Sequence, residues 1–276
     1  MKKISILLLT VLLVFGCDFD SNKLERINVK GEIVTTTDMV EDFNELIIAG
    51  PFDVVFEQDG GNQIQIETYE SVMEWVRVEM LEDGTLLLYL EDTSGTHTFD
   101  ITFDDHDLDK LSRHAILSGS RLKWPENKKN LKVVLSIDDL KKVQVLGESE
   151  IKLAQTLKTD DFDFEVAGAV HLIGDFEVHN FKADLAGAGS LDLSGSARYL
   201  EINCAGAGTI RAYDLIADSV DLEIAGVCNA QLYAKDKLNV EIAGMGTVKY
   251  KGDPDISIDK AGIGSVKQVE TNQTDI

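Results

Sequence analysis

Three groups of side chains in this sequence are of types that could do chemistry. The first is a column of acids, Glu165, Asp184, Glu223, Glu241 and Asp259, interrupted by Asn203. Each stands three residues before the glycine of an Ala-Gly pair. On parallel strands such residues stack at about 4.8 Å, where each like-charge pair costs about 1 kcal/mol even at the dielectric of water. That ladder could attract divalent cations, with Glu223 and Glu241 as the metal candidates. Calcium needs roughly six to eight converging oxygens, and single carboxylates at this spacing do not converge. A solvated acidic face is therefore the expectation.

The second group is denser: Asp104, Asp105, His106, Asp107, Asp109 and His114. Asp105 and His106 are candidate metal ligands, but the segment lacks a ligand spacing of a known kind. It reads first as a charged surface loop. The third group is polar and periodic: His171, Ser190, Thr209, Asn229, Thr247 and Ser265, each three residues after a glycine. Hydroxyls and amides in a row could pair with a glycan or an envelope protein, or simply form an outward face. No catalytic residue and no cofactor is assigned.

The elements that would position these columns come from a repeat. Ala-Gly pairs end at Gly168, Gly187, Gly206, Gly226, Gly244 and Gly262, in steps of 19, 19, 20, 18 and 18. A constant step of this size marks a solenoid, one coil per copy. Four before each glycine stand Phe164, Ala183, Ile202, Leu222, Val240 and Ile258; two before stand Val166, Leu185, Cys204, Ile224, Ile242 and, as an exception, Lys260. Apolar residues two apart with polar ones between them define a β-strand face. A second glycine at 189, 208, 246 and 264 calls for either positive φ or close approach of a neighbouring coil. A coil of about 19 residues is too short to include a helix and its connections. The fold class is all-β, a parallel β-helix with coils of about 18–20 residues.

Lys2 and Lys3 precede an apolar run from Ile4 to Phe15, the layout of a secretory signal too short for a membrane span. Gly16-Cys17 closes it and resembles a bacterial lipobox. That resemblance implies cleavage before Cys17 and lipidation of its thiol; an ordinary signal peptide or a retained anchor are the alternatives. The expected address is the cell envelope of a Gram-negative bacterium, lipid-anchored at the outer membrane on its periplasmic or surface face. Twenty-six basic against 49 acidic residues give a net charge of -23. This argues against nucleic acid and against charge-driven binding to anionic headgroups. Cys204 and Cys228 are the only other cysteines. Their positions relative to the glycines put them about 13 Å apart along aligned strands, too far for a disulfide, so two buried small apolar residues are expected.

The domain reading is a signal over residues 1–16, a lipidated tether over 17–42, a β-rich half over 43–153, repeats over 154–270 and a tail over 271–276. Within the first half, the phrase recurs around Gly50 and Gly147. Strands are expected over 63–68, 76–80, 86–90, 98–103 and 131–137. Residues 104–130 are the least regular, an insertion or a distorted coil.

These features resemble the head GIN domain family of putative auto-transporter adhesins, frequent in lipoproteins of the Bacteroidota, over roughly residues 43–269. The residues that carry the resemblance are the opening Phe43-x-x-Leu46-x-Ile48-x-Gly50, the unit from Gly84 to Leu90, the segment from Val134 to Val143 leading to Gly147, and the closing Gly246 to Pro254 followed by Ala261-Gly262-Ile263-Gly264. The family's Ser-Gly-Ser-Gly stands here as Ala-Gly-Ala-Gly or a variant. The resemblance implies a parallel β-helix and an adhesin-like role, and it transfers no site residue. A polysaccharide-active β-helix enzyme is the other class considered. It needs carboxyl groups about 5–10 Å apart on converging loops, and minimal coils leave little room for them. A periplasmic scaffold or an envelope-sensing protein is a further alternative.

Overall fold

Alternating apolar and polar residues at a constant step force strands to stack with their apolar sides inward, and the structure, a computed structural model, follows that logic. It describes residues 27–91 and 122–270. The expected strand at 98–103, the cluster from Asp104 to His114 with Asp105 and His106, and Cys17 lie outside the described residues. No helix among the described residues is long and apolar enough to cross a membrane.

The first half contributes β1 (Ile27–Asn28), β2 (Ile33–Met39), β3 (Glu45–Ala49), β4 (Asp53–Glu57), β5 (Gln63–Tyr69), β6 (Val76–Met80), β7 (Leu86–Leu90), β8 (Leu122–Lys123) and β9 (Leu131–Ser136). A single helical turn, Glu70–Met73, follows β5. β3 and β4 form a coil around Gly50. The next coil in space is not the next in sequence on one side. β7 pairs parallel with β3, and β9 parallel with β4, on the side away from the repeats. Antiparallel strands then cover that end: β6 on β7, and β5 on β9 with β2 beyond it. β2 and β1 fall within residues 17–42, where a tether is expected. Val34, Thr36 and their neighbours instead pair with the edge of β5 along seven residues.

The second half contributes β10 (Lys142–Val145), β11 (Glu148–Leu153), β12 (Leu157–Val166), β13 (Ala169–Leu185), β14 (Ala188–Cys204), β15 (Ala207–Ile224), β16 (Val227–Ile242), β17 (Met245–Lys251), β18 (Asp255–Lys260) and β19 (Ile263–Gln268). β10 and β11 stack on β3 and β4, and every later strand pairs parallel with its counterpart one coil on. The parallel β-helix is thus the fold of the chain.

The Ala-Gly corners explain themselves sterically. A Cβ at Gly187 or Gly206 would stand 1.9 Å from the carbonyl oxygen of the corner glycine below. Those oxygens accept the hydrogen bonds that join successive corners, such as Ala188 N–H to Gly168 O at 2.8 Å and Ala207 N–H to Gly187 O at 2.9 Å. Any side chain there would push the coils apart and break the bond. Of the two roles open to the second glycine, the structure selects close approach. A Cβ at Gly208 would sit 2.7 Å from Cys204 Sγ and 3.2 Å from Cys228 Sγ.

That geometry also corrects the cysteine distance. Both thiols are free and buried. The corner folds the chain between them, so side chains from neighbouring coils point into the same space beside Gly208. A hydrogen bond from Cys228 holds the Cys204 thiol below its ordinary value. The same contact, with burial, pushes Cys228 up.

One continuous apolar interior runs through both halves. Phe162, Phe176 and Phe181 pack together within it, with centroids 4.9–5.4 Å apart. Later coils place Leu200, Val220 and Leu238 in the column that Phe162 and Phe181 begin.

Candidate functional site

Each long strand of the solenoid carries a bend at a position outside the columns read from the sequence. In β13, Val178 is buried, His179 and Asn180 both face out, and Phe181 is buried again. Two successive outward residues break the period of two, so the chain turns there. The same pair recurs one coil apart as Asp160-Asp161, His179-Asn180, Arg198-Tyr199 and Asp218-Ser219, eight and seven residues before the corner glycine. Stacked, these bends line an open groove of about 910 Å3.

Polar and charged groups along the groove pair with one another between coils. His179 Nδ1 lies 2.9 Å from Asp160, Lys158 Nζ 2.6 Å from Glu177, and Lys235 Nζ 3.3 Å from Asp218. Glu177 holds the Lys158 ammonium above its ordinary value, and Asp218 does the same for Lys235. Arg198 sits in the middle of this row, and among the described residues no carboxylate lies within ion-pair reach of it. Its guanidinium presents a planar fork of donors to whatever enters. Tyr199 beside it is 54% exposed and Ile216 on the next coil 47%. An aromatic ring next to a free guanidinium suits sugar rings or a partner's carboxylates.

The columns singled out from the sequence are in register as expected, and their surroundings are now specific. Gln144, Glu165, Asp184, Asn203, Glu223, Glu241 and Asp259 are successive partners on adjacent strands. Amides and lysines relieve the N-terminal end of that ladder. Gln144 donates to Glu165 at 2.6 Å, Asn203 to Asp184 at 2.8 Å, and Lys182 lies 3.1 Å from Asp184. Glu223 and Glu241 are direct register partners. Among the described residues no three metal-ligating side chains gather into a site, so the pair has no third ligand there.

The polar column after the corner glycine forms the floor of two shallow depressions that share Thr209, of about 500 and 240 Å3. His171, which spacing alone does not set apart from the rest of its column, is tied in on both sides. Its Nε2 lies 2.6 Å from Asp192 and its Nδ1 3.9 Å from Glu150. Arg211 reaches Asp192 at 2.8 Å and donates to Ser190 at 3.0 Å. Burial pushes the Asp192 carboxyl up, but the hydrogen bonds from His171 and Arg211 outweigh it and hold the group below its ordinary value. Paired in this way, the His171 and Ser190 end of the column is a braced outer face. The bend groove, where Arg198 has no carboxylate partner among the described residues, is the stronger candidate. Its signal is present in the sequence as two adjacent polar residues recurring every 19 or 20 positions, further from the glycine than the aligned columns reach.

Comparison with known proteins follows the fold. The chain is similar to the crystal structure of a putative adhesin from Bacteroides fragilis, with a TM-score of 0.68 and 23% identity, over 88% of this chain and 100% of that one. It is similar to a putative lipid binding protein from Parabacteroides distasonis at a TM-score of 0.64 and 21% identity, covering 89% and 100%. A putative adhesin from Parabacteroides merdae aligns at 0.55 and 17%, also over 89% and 100%. At these identities the likeness shows a shared fold. No curated protein matches. The model of the family described as putative auto-transporter adhesin, head GIN domain, matches residues 42–254, and the chain belongs to that family.

Proposed function

We propose that this chain is a non-enzymatic, adhesin-like protein of the cell envelope that holds a glycan or an envelope protein along the bend groove. The carrying observation is Arg198, a cation with no carboxylate partner among the described residues, centred among inter-coil pairs and flanked by exposed Tyr199 and Ile216. The adhesin family and the adhesin-named structural neighbours support the class of role. A row of self-neutralised charges offers an extended partner many weak polar contacts, with one strong anchor. The protein reaches the envelope through its N-terminal segment and is held there by a lipid on Cys17.

The test is binding of the full-length, detergent-solubilised chain to immobilised envelope polysaccharides and outer-membrane extracts. Arg198→Ala should lower affinity about tenfold, the usual worth of a charged anchor, with an unchanged circular dichroism spectrum. Equal capture by the variant would sink the groove as the site. Turnover of any captured polysaccharide would sink the non-enzymatic reading. For the anchor, Cys17→Ser should remove both the lipid mass and membrane association; retention of either rejects lipidation.

A further inference from the structure

The two ends of a β-helix expose strand edges, and among the described residues only the first end is covered by further strands. Beyond the last coil, β18 and β19 pair with β16 and β17 on one side. Among the described residues no strand pairs with the other side, where the Lys260 ammonium donates to the Gly264 carbonyl at 3.1 Å. Ile256 and Ile258 continue the buried columns of Leu238 and Val240 yet are 42% and 49% exposed. Ile263, at the corner, is 76% exposed on an outward column in which Val227 and Met245 are exposed too. A solenoid normally ends in a coil with a polar outer surface, and an open edge with apolar side chains invites pairing.

The open edge has a definite polarity. Ala261, Ile263 and Val269 donate their N–H groups back to Ile242, Gly244 and Tyr250. Backbone groups alternate along a strand, so the N–H and C=O of Ile256, Ile258, Lys260, Gly264, Val266 and Gln268 point outward to the free side. These are also the residues of the inward-facing columns. We propose that the occupant of this edge is a second copy of the chain, joined by a twofold axis through Gly262.

That axis lays β18 of one copy antiparallel to β19 of the other, twice. It pairs Ile258 with Val266, Ile256 with Gln268 and, once the Lys260 ammonium leaves the Gly264 carbonyl it holds at 3.1 Å, Lys260 with Gly264, all hydrogen-bonding positions, for about a dozen backbone bonds in total. The two interiors become one, and the two Ile263 side chains flank the axis. On the outer face Asp259 meets Ser265 and Ser257 meets Lys267, so no like charges stand opposite. Pairing β18 with β18 about Ser257 would oppose Asp255 to Asp259 and leave β19 uncovered.

Sedimentation equilibrium of the full-length chain in density-matched detergent should give a dimer. Ile258→Lys/Val266→Lys should weaken it at least tenfold, with the circular dichroism spectrum intact because both positions lie at the open end. In cells carrying an Asp259→Cys copy and a Ser265→Cys copy together, oxidation should yield a disulfide-linked dimer that neither copy gives alone. A monomeric wild type overturns the proposal. So does a dimer untouched by the double lysine variant or lacking the mixed cross-link. A monomer that dimerises only after truncation following Glu270 also overturns it, by showing that the chain's own tail covers the edge.

Discussion

The two ends of the solenoid solve the same problem differently. At the first end, β7 and β9 complete a coil below β3 and β4, and antiparallel β6, β5 and β2 cover it. At the other, β18 and β19 stop with no strand on their outer sides among the described residues. Between them the coils are interchangeable. The difference teaches that a repeat contains the instructions for stacking but none for stopping. Parallel pairing of a coil on its copy can continue without limit, because each coil presents above what it accepts below. Ending it requires strands of another direction, as in the first half, or a symmetry that reverses direction, as proposed for the second. Lys260 marks the same point: the one charged residue in an otherwise apolar column lies on the last coil, exposed, with its ammonium on the Gly264 carbonyl at 3.1 Å.

Four tests break or sharpen this comparison. The largest effect belongs to the middle of the stack. Gly206→Ala places a Cβ 1.9 Å from the Gly187 oxygen and should destabilise by about 4 kcal/mol, since two coils must separate. Urea unfolding measures it, and a loss under about 1 kcal/mol would show that the corners are not in tight contact. Next is a matched pair in one column. Ile202 is fully buried and Ile258 half exposed. Ile202→Ala should cost about 3 kcal/mol, whereas Ile258→Ala should cost the isolated chain about 1 kcal/mol or less. Equal losses in dilute, monomeric samples would mean that the last coil is covered after all. Third, Gly84 in the β6–β7 hairpin has φ of +87°, and a Cβ placed there would meet nothing within 4 Å. Gly84→Ala should cost about 1 kcal/mol through backbone strain alone, far less than the corner glycine despite identical chemistry. Thermal melts of the two variants side by side check the ranking, and a reversed order would put strain above steric contact.

The smallest effect is electrostatic. The Asp192 carboxyl is held below its ordinary value in the folded chain, so the folded state binds its proton less readily than the unfolded state does. Its contribution is therefore present at neutral pH and lost as pH falls below the ordinary carboxylate value of about 4 and through the folded one. Asp192→Asn should lower stability by roughly 0.5–1 kcal/mol at neutral pH, as expected of a partly exposed ion pair, and the gap from wild type should close in acid. A constant gap from neutral pH into acid would show that the carboxylate's charge is not what His171 and Arg211 use.

The fold is legible in the sequence because its two periods are both short-range. Apolar residues two apart specify strands, and the Ala-Gly phrase recurs at a step that can be followed through Gly262. Even the isolated copies at Gly50 and Gly147 take their places on the same ladder, with a Cβ at Gly147 falling 2.6 Å from Gly50. The bend groove is harder to see. Its residues vary in charge from coil to coil, Asp160, His179, Arg198, Asp218, and only their shared outward position ahead of the buried Phe162, Phe181, Leu200 and Val220 makes them a column. The cysteine pair escapes a linear count because distance along a strand does not carry through a corner that turns it. The segment over 17–42 has the polarity of a tether because β2 holds one partly buried residue among exposed ones. A cap strand is held through backbone bonds to β5 rather than through a buried face.

The sequence by itself determined the strand periodicity, the coil length, the parallel stacking and the register of the acidic and polar columns. These follow from local spacing and from sterics at a glycine corner. Tertiary structure alone decided the order of coils in space, with β7 and β9 beneath β3 and β4, the meeting of Cys204 and Cys228, the groove around Arg198, and which end is closed. Each of those depends on where residues distant in the chain come to rest, and neither composition nor a repeat of about 19 residues encodes that.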